Sequence, residues 1–384
     1  MNDFISTHDY PIMDLRSQKN HAERRKAVEN KLDVSLATIG KTLCDDEESI
    51  HCENLIGAVG MPVGIAGPVI IHGQKKHAAY IPLATTEGAL VASVARGCKV
   101  INASGGVTVL VDSVGVTRGP IFEVKNIREG HTFCAWLLEN KKALASVAQG
   151  TSNHLILKDM STAQQGRYVY VRFQFDTDQA MGMNMATIAT TAIAEYIEKS
   201  TPYTLLAVAG NFDTDKKPSW LNMIQGRGEM VRADVIIPPD VVATHLHVSP
   251  NGIEKRVVQK CWGGSIMSGS LGFNAHFANI VAAFFAATGQ DLAHIAEGSL
   301  GVTSAEVLEN GDLYFSVFLP DILVGMVGGG TQLKTQTEAT SITKAQTSGE
   351  LAEVLGAAVL AGELSLIASI ADKTLAKAHI TLGR

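Results

Sequence analysis

Apolar and polar positions along this chain alternate between two periods. Short apolar runs at 69–71 and 78–81 flank His72-Gly73 and predict a β-hairpin. A helix is predicted after Thr86, and a strand over 107–111. Residues 120–207 have a different texture. They read as strand over 120–124, helix up to 148, strand over 168–175 and helix from about 183 to 199, the pattern of a compact α+β insert. Helical spacing returns over 273–288, with Gly289 as its C-terminal cap, and again over about 349–379. Residues 1–50 predict a small helical N-terminal region, with His21-Ala-Glu-Arg-Arg-Lys on its solvated face.

Composition narrows the class. At 384 residues the chain is too long for one ordinary core and implies two or three domains. It is 46% hydrophobic with a net charge of -6 and shows no basic stripe, so no nucleic-acid partner is expected. Cys44, Cys52, Cys98, Cys134 and Cys261 are scattered without a Cys-x-x-Cys pair, as expected for reduced cytosolic thiols. Of the longest apolar stretches, 280–288 is too short for a bilayer, and 354–371 carries Glu363 and two glycines. The expectation is a cytoplasmic protein without a membrane anchor. The chain has no G-x-G-x-x-G after a strand, P-loop, His-Glu-x-x-His or G-x-S-x-G elbow.

Several groups of residues could carry chemistry. In Ala84-Thr-Thr-Glu-Gly88, Thr85 or Thr86 can cap a helix and place Glu87 in its first turn, either as a dipole partner or as a reactive carboxylate. Ser93, Arg96 and Lys99 recur along that helix as a basic row, solvated or phosphate-binding. Asn211-Phe-Asp-Thr-Asp-Lys-Lys-Pro218 sets carboxylates against Lys216 and Lys217, as a salt-bridged turn or, if buried, as an electrophile for a carbonyl oxygen. His276 and Asn279 lie one turn apart on an apolar helix, with Asp291 after its end. Met181-Gly-Met-Asn184 opens another helix, whose N-terminus suits a phosphate or polar cofactor edge. His379 near the terminus reads as a surface residue. His245 and His247 could share a strand face, but no third metal ligand lies nearby, and no metal is expected.

In this order, ENLIG, ATTEG, AMGMNM, NFDTDKKP, NAHFAN, GQD and GGGT resemble hydroxymethylglutaryl-CoA reductase, from about residue 50 onward. The TTEG and DTDKKP forms resemble its class I branch. The resemblance implies an α+β fold: a helical N-terminal region (1–54), a large substrate-binding and catalytic domain around a long central helix (55–119 and 208–384), and a small ferredoxin-like cofactor domain (120–207). It implies Glu87, Lys216, Asp291 and His379 as the catalytic set, with Arg118, Asn211, Lys217, Lys260, His276 and Asn279 around the acyl group. Ser93, Arg96 and Lys99 would line the CoA path. Ser152, Asn153, Gln179, Met181, Gly182, Met183 and Asn184 would face the nicotinamide cofactor, NADPH with NADH possible. The implied reaction turns a CoA thioester into mevalonate and free CoA with two reduced cofactors, through a hemithioacetal and mevaldehyde. Lys216 would stabilise the oxyanion, His379 protonate the thiolate and Glu87 serve the second oxygen, in a dimer or higher homo-oligomer with active sites at the interface. The alternatives are a non-catalytic CoA-thioester-binding paralogue and a reductase of a different acyl-CoA. The sequence departs from the family pattern at Lys99 and Asn153 (usually Arg), Gln179 (usually Asp) and Ala209 (usually Ser).

Overall fold

A computed structural model describes residues 17–18, 21–37, 50–51 and 58–372. The ENLIG segment, Cys44, Cys52 and His379 lie outside the described residues. The predicted hairpin is present: β1 (Val63–His72) pairs antiparallel with β2 (Lys76–Ala84) across the turn after Gly73. The other strands are β3 (Val107–Arg118), β4 (Ile121–Glu123), β5 (Ile156–Gln165), β6 (Tyr168–Asp176), β7 (Thr204–Ala207), β8 (Arg227–Ile237), β9 (Val302–Val307) and β10 (Leu313–Ile322). They form one sheet path, β7-β4-β6-β3-β8-β10-β9, with β1 beside β3 and β5 beside β6. Strand β5 escaped the sequence reading because its string, ILKDMSTAQQ, is polar, and most of its residues are partly or fully exposed.

Strand β3 joins two cores. Its first half pairs with β8, and Val116–Arg118 pair with β6. The switch falls at Gly115, where φ is 100° and a Cβ would lie 2.5 Å from the Phe175 carbonyl oxygen, so glycine is needed there. One core surrounds the helix Ser348–Asp372 and takes in β1, β2, β3, β8 and β10 with the helices Leu90–Ala103 and Phe277–Thr288. The other gathers Val116, Phe122, Phe173, Phe175 and the inner faces of helices Ile127–Glu139, Lys141–Gln149 and Met183–Ser200. Ser348–Ile370 is long and apolar enough to cross a membrane, yet 94% of it is buried inside the fold, as expected of a core helix. The Leu90–Ala103 helix packs against it through Gly97, whose added Cβ would sit 2.0 Å from the Ala361 carbonyl oxygen.

Three local expectations need correction. The helix after Thr86 starts at Leu90, with Ala89 left-handed at φ 73° and no side-chain cap. Thr85 Oγ1 instead accepts the Glu87 N–H at 3.0 Å, a local turn that competes with the helix and leaves Glu87 in the preceding loop. His245 and His247 do not share a strand face: they end the helix Pro239–Leu246, with His247 as its left-handed cap. The expected helix over 273–288 is shorter, Phe277–Thr288, and Gly289 caps it at φ 73°.

Candidate active site

The loop 211–216 is tightly bent. Asn211, Thr214 and Lys216 all have positive φ, at 61°, 58° and 56°. Non-glycine residues avoid that region unless the surroundings enforce it. Here Asp213 anchors the loop: its carboxylate accepts from Arg118 Nη1 at 3.3 Å and the Gly119 N–H at 3.2 Å, and its carbonyl accepts from Thr117 Oγ1 at 2.8 Å. Arg118 also donates from Nη2 to Thr187 Oγ1 at 2.7 Å. The result presents Lys216 Nζ 3.2 Å from Asp291 Oδ2. Burial alone would raise the Asp291 carboxyl, but the Ala293 N–H, the His294 ring and Lys216 together hold it below the usual carboxylate range. Lys217, exposed beside it, donates from Nζ to the Asp215 carbonyl at 3.3 Å.

Beneath this pair lies a buried charge network. Arg227 is fully buried and donates to Asp215 and Glu297 at 2.8 Å each and to Thr117 Oγ1 at 2.8 Å. Glu297 Oε1 also accepts the Lys216 backbone N–H at 3.2 Å, so the network reaches the exposed pair through the main chain. Asp321 lies 3.8 Å from Arg227. Burial pushes its carboxyl up to about 7, with Arg227 opposing and Glu297 adding to the rise. Among the described residues, Asp215, His294 and Glu297 group like metal ligands. Arg227 already supplies a cation to both carboxylates.

Glu87, His276 and Asn279 form a second group. Asn279 Nδ2 lies 3.3 Å from both Glu87 Oε1 and His276 Nδ1, while His276 Nε2 is buried without a partner. Glu363, in the apolar central helix, accepts from the backbone N–H groups of Ala275 and His276 and from Thr303 Oγ1, which fixes the turn carrying His276. A cavity of about 600 Å³ borders this turn, lined by Pro218, Lys260, Asn274, His276, Ser299 and Leu300 among others. Lys260 is exposed on a π-helical segment, Val257–Gly264, a local widening that often accompanies function. Asn279 lies in the first turn of its helix, and Asp291 follows the last. Nine residue steps separate Asn279 from the helix end, roughly 14 Å along the axis. Among the described residues, no hydrogen bond or ion pair joins Glu87 to Lys216 or Asp291, and Glu87 is exposed.

The basic row is only partly free. Ser93 Oγ donates to Ser365 Oγ at 2.9 Å, and Arg96 donates to Ser365 and Ser369 of the central helix. Lys99 is exposed. On the other core, Gly182 precedes the helix Met183–Ser200 at φ 86°, with no side-chain cap and no acidic residue in the first turn. A Cβ on Gly182 would meet Thr177 Oγ1 at 2.3 Å. The helix N-terminus is therefore an open, partly positive end. Asn184 is exposed, Met181 packs on the second core, and Met183 Sδ accepts from Arg227 Nη2 at 3.2 Å. Gln179 is turned inward: its Oε1 accepts the Ser348 N–H at 2.9 Å, and its Nε2 donates to Asp178 at 3.2 Å. Asn153 is exposed, next to Ser152, whose Oγ accepts the His154 N–H at 3.1 Å.

The sequence pattern of hydroxymethylglutaryl-coenzyme A reductase matches residues 20–384. The chain belongs to the hydroxymethylglutaryl-coenzyme A reductase family. It is 45% identical over 371 residues to the 3-hydroxy-3-methylglutaryl-coenzyme A reductase of Haloferax volcanii, covering 94% of this chain and 92% of that one. With the enzyme of Pyrococcus abyssi it shares 46% over 378 residues, with the same coverage. Its fold resembles a class II enzyme of Streptococcus pneumoniae bound to NADPH in open conformations, with a TM-score of 0.75 at 19% identity over 92% of this chain and 87% of the other. For a hydroxymethylglutaryl-coenzyme A reductase, the departures noted in the sequence divide by exposure: Lys99, Asn153 and Ala209 are exposed, while Gln179 bonds the Ser348 N–H. Sequence reasoning missed Arg227, His294 and Glu297. The partners of Arg227 are scattered from Thr117 to Asp321, so no local pattern could signal them. Glu363 did leave a signal, as a carboxylate inside an apolar helix that requires partners.

Proposed function

We infer that the chain is a working member of its family, which reduces hydroxymethylglutaryl-CoA to mevalonate and free CoA with two reduced nicotinamide cofactors. The observation that carries this reading is the Lys216–Asp291 pair at 3.2 Å, backed by the buried charges of Arg227 and Glu297. Lys216 donates to the thioester oxygen as it becomes an oxyanion. Asp291 orients Lys216. His379 protonates the departing CoA thiolate, a task suited to a side chain that titrates near neutrality. Glu87 serves the oxygen of mevaldehyde in the second reduction. Arg118, Asn211, Lys217, Lys260, His276 and Asn279 surround the acyl group, and Ser93, Arg96 and Lys99 follow the CoA.

The helix end at Gly182, without a side-chain cap or an acidic residue in its first turn, fits a nicotinamide cofactor, held by Ser152, Asn153, Gln179 and residues 181–184. When bound, the cofactor supplies the hydride. NADPH is the favoured form, as the fold neighbour binds it. The class I assignment rests on the TTEG and DTDKKP forms. Residues 120–207 form the cofactor domain, and 55–119 with 208–384 the catalytic one.

The enzyme works in the cytoplasm as a dimer or larger assembly. Glu87 is exposed and has no link to Lys216, and apolar side chains stand exposed nearby, including Trp220 at 52%, Ile224 at 76% and Leu292 at 50%. A second copy would cover this surface and complete the site. The test is an assay of purified protein with hydroxymethylglutaryl-CoA and each reduced nicotinamide, alongside other acyl-CoA esters. Oxidation of neither cofactor, or faster oxidation with another ester, overturns the assignment.

A further inference from the structure

His294 has no role in the reading above, yet it lies directly behind the catalytic pair. It closes the short turn Leu292–His294, and its side chain is fully buried. Its Nδ1 lies 2.5 Å from Glu297 Oε1. A carboxylate can only accept, so Nδ1 carries a proton. The other nitrogen, Nε2, is buried with no hydrogen-bond partner and lies 3.5 Å from Asp291 Oδ2. A neutral ring would therefore aim the lone pair of its buried Nε2 at a carboxylate oxygen. An imidazolium would aim an N–H there instead.

The surroundings favour the charged ring. Asp291, Glu297 and Asp215, the last 3.9 Å from Nδ1, face it with negative charge. The cations nearby are already engaged: Arg227 with Asp215 and Glu297, and Lys216 with Asp291. Asp291 Oδ1 accepts the Ala293 N–H at 3.0 Å, while Oδ2 is shared between Lys216 and His294. When Lys216 turns to a developing oxyanion, Oδ2 would lose its exposed cation.

We propose that His294 is a positioning residue, held as an imidazolium, that donates from Nε2 to Asp291 Oδ2 and keeps this carboxylate charged and fixed while Lys216 serves the substrate. The proposal rests on Lys216 and Asp291 being the catalytic pair, but its first test does not depend on activity.

The first test is nitrogen NMR of protein labelled in the rings of its 12 histidines, with the His294 signals assigned by their loss in His294→Gln. Two protonated ring nitrogens are expected for His294 at neutral pH, and a single proton, on Nδ1, in Asp291→Asn. A neutral ring in the unmodified protein overturns the proposal, even if the enzyme is fully active. The second test is kinetic. His294→Gln keeps a donor but cannot titrate. It should lower kcat about tenfold, the scale of one weakened charge-assisted contact, with little change in KM for the thioester, and should remove one ionisation from the pH profile of kcat. An unchanged kcat and pH profile would also overturn it. If His294→Gln does not fold, assignment by elimination through the other histidine variants keeps the NMR test in force.

Discussion

The corner at Lys216 and the strip at 152–154 and 178–184 are both read as functional, yet they are built in opposite ways. The corner stands on fully buried Arg227, Glu297 and Asp321, and each charge has a partner drawn from a distant part of the chain. The strip holds its side chains by solvent-exposed contacts, such as His154 to Asp178 at 3.0 Å. A buried charge network tolerates almost no loss, because a removed partner leaves a desolvated charge behind. Exposed pairs are worth little and can drift. The departures from the family pattern follow this division: Asn153 and Gln179 fall on the strip, and none falls among Lys216, Arg227, Asp291, Glu297 and Asp321.

Arg227→Met breaks the comparison most severely. It takes the guanidinium from buried Glu297 and partly buried Asp215, leaving only the His294 ring beside them, and a loss of about 3–5 kcal/mol is expected. Urea unfolding measures it. A loss below about 1 kcal/mol, the range of exposed pairs, would show that water or a proton compensates and that the corner is not built on Arg227.

Lys216→Ala tests the chemistry rather than the support. A fall in kcat of at least about a hundredfold is expected, since one oxyanion-type donor is typically worth that much. Binding of the CoA ester, measured by calorimetry, should largely survive. Near-normal turnover would remove Lys216 from the mechanism.

His379→Gln separates the two half-reactions. The thioester step should slow by about a hundredfold, the lower end for a lost general acid. Reduction of supplied mevaldehyde should be much less affected, because no thiolate leaves there. Equal losses in both would contradict the role given to His379.

The two regions also differed in how well the sequence exposed them. The β1–β2 hairpin and the Gly289 cap were readable because their signals are local: a turn between apolar runs, and a glycine after a periodic helix. Lys216 and Asp291 were visible as candidates through motif strings, though their 3.2 Å contact was not. Arg227 stayed hidden, since burial and partners far along the chain define it. His294 has its partners three residues away on either side, Asp291 and Glu297, a local spacing that burial alone turns into a contact. The start of the Leu90 helix was misplaced because two threonines looked like caps, while Thr85 bonds one turn too early. On the strip, Asn153 and Gln179 stood out as departures, but the inward bond of Gln179 to Ser348 could only be seen in the fold.

The smallest effect concerns which nicotinamide the strip prefers. A cation near the adenosine ribose is the usual means of favouring the extra phosphate of NADPH, and Asn153 supplies none. The neighbouring candidates are already engaged: His154 Nδ1 contacts Asp178, and Lys158 Nζ donates to the Ser113 carbonyl. Hydrogen bonds from His154 and Gln179 hold Asp178 below the usual carboxylate range, so an anion stands beside the loop where a cation is wanted. One missing charge-assisted contact is worth about 1.5–3 kcal/mol, very roughly a tenfold to hundredfold change in preference. NADPH should therefore remain the better cofactor by a modest margin, with measurable use of NADH. Asn153→Arg should widen that margin by about tenfold with little effect on stability, because the position is exposed. The ratio of kcat/KM for the two cofactors, in one buffer at fixed ionic strength, decides the matter. A wild-type preference above about a thousandfold exceeds what a lost contact leaves room for. It would mean that His154 or Lys158 abandons its present partner for the phosphate, and that the strip is as firmly built for its ligand as the corner is.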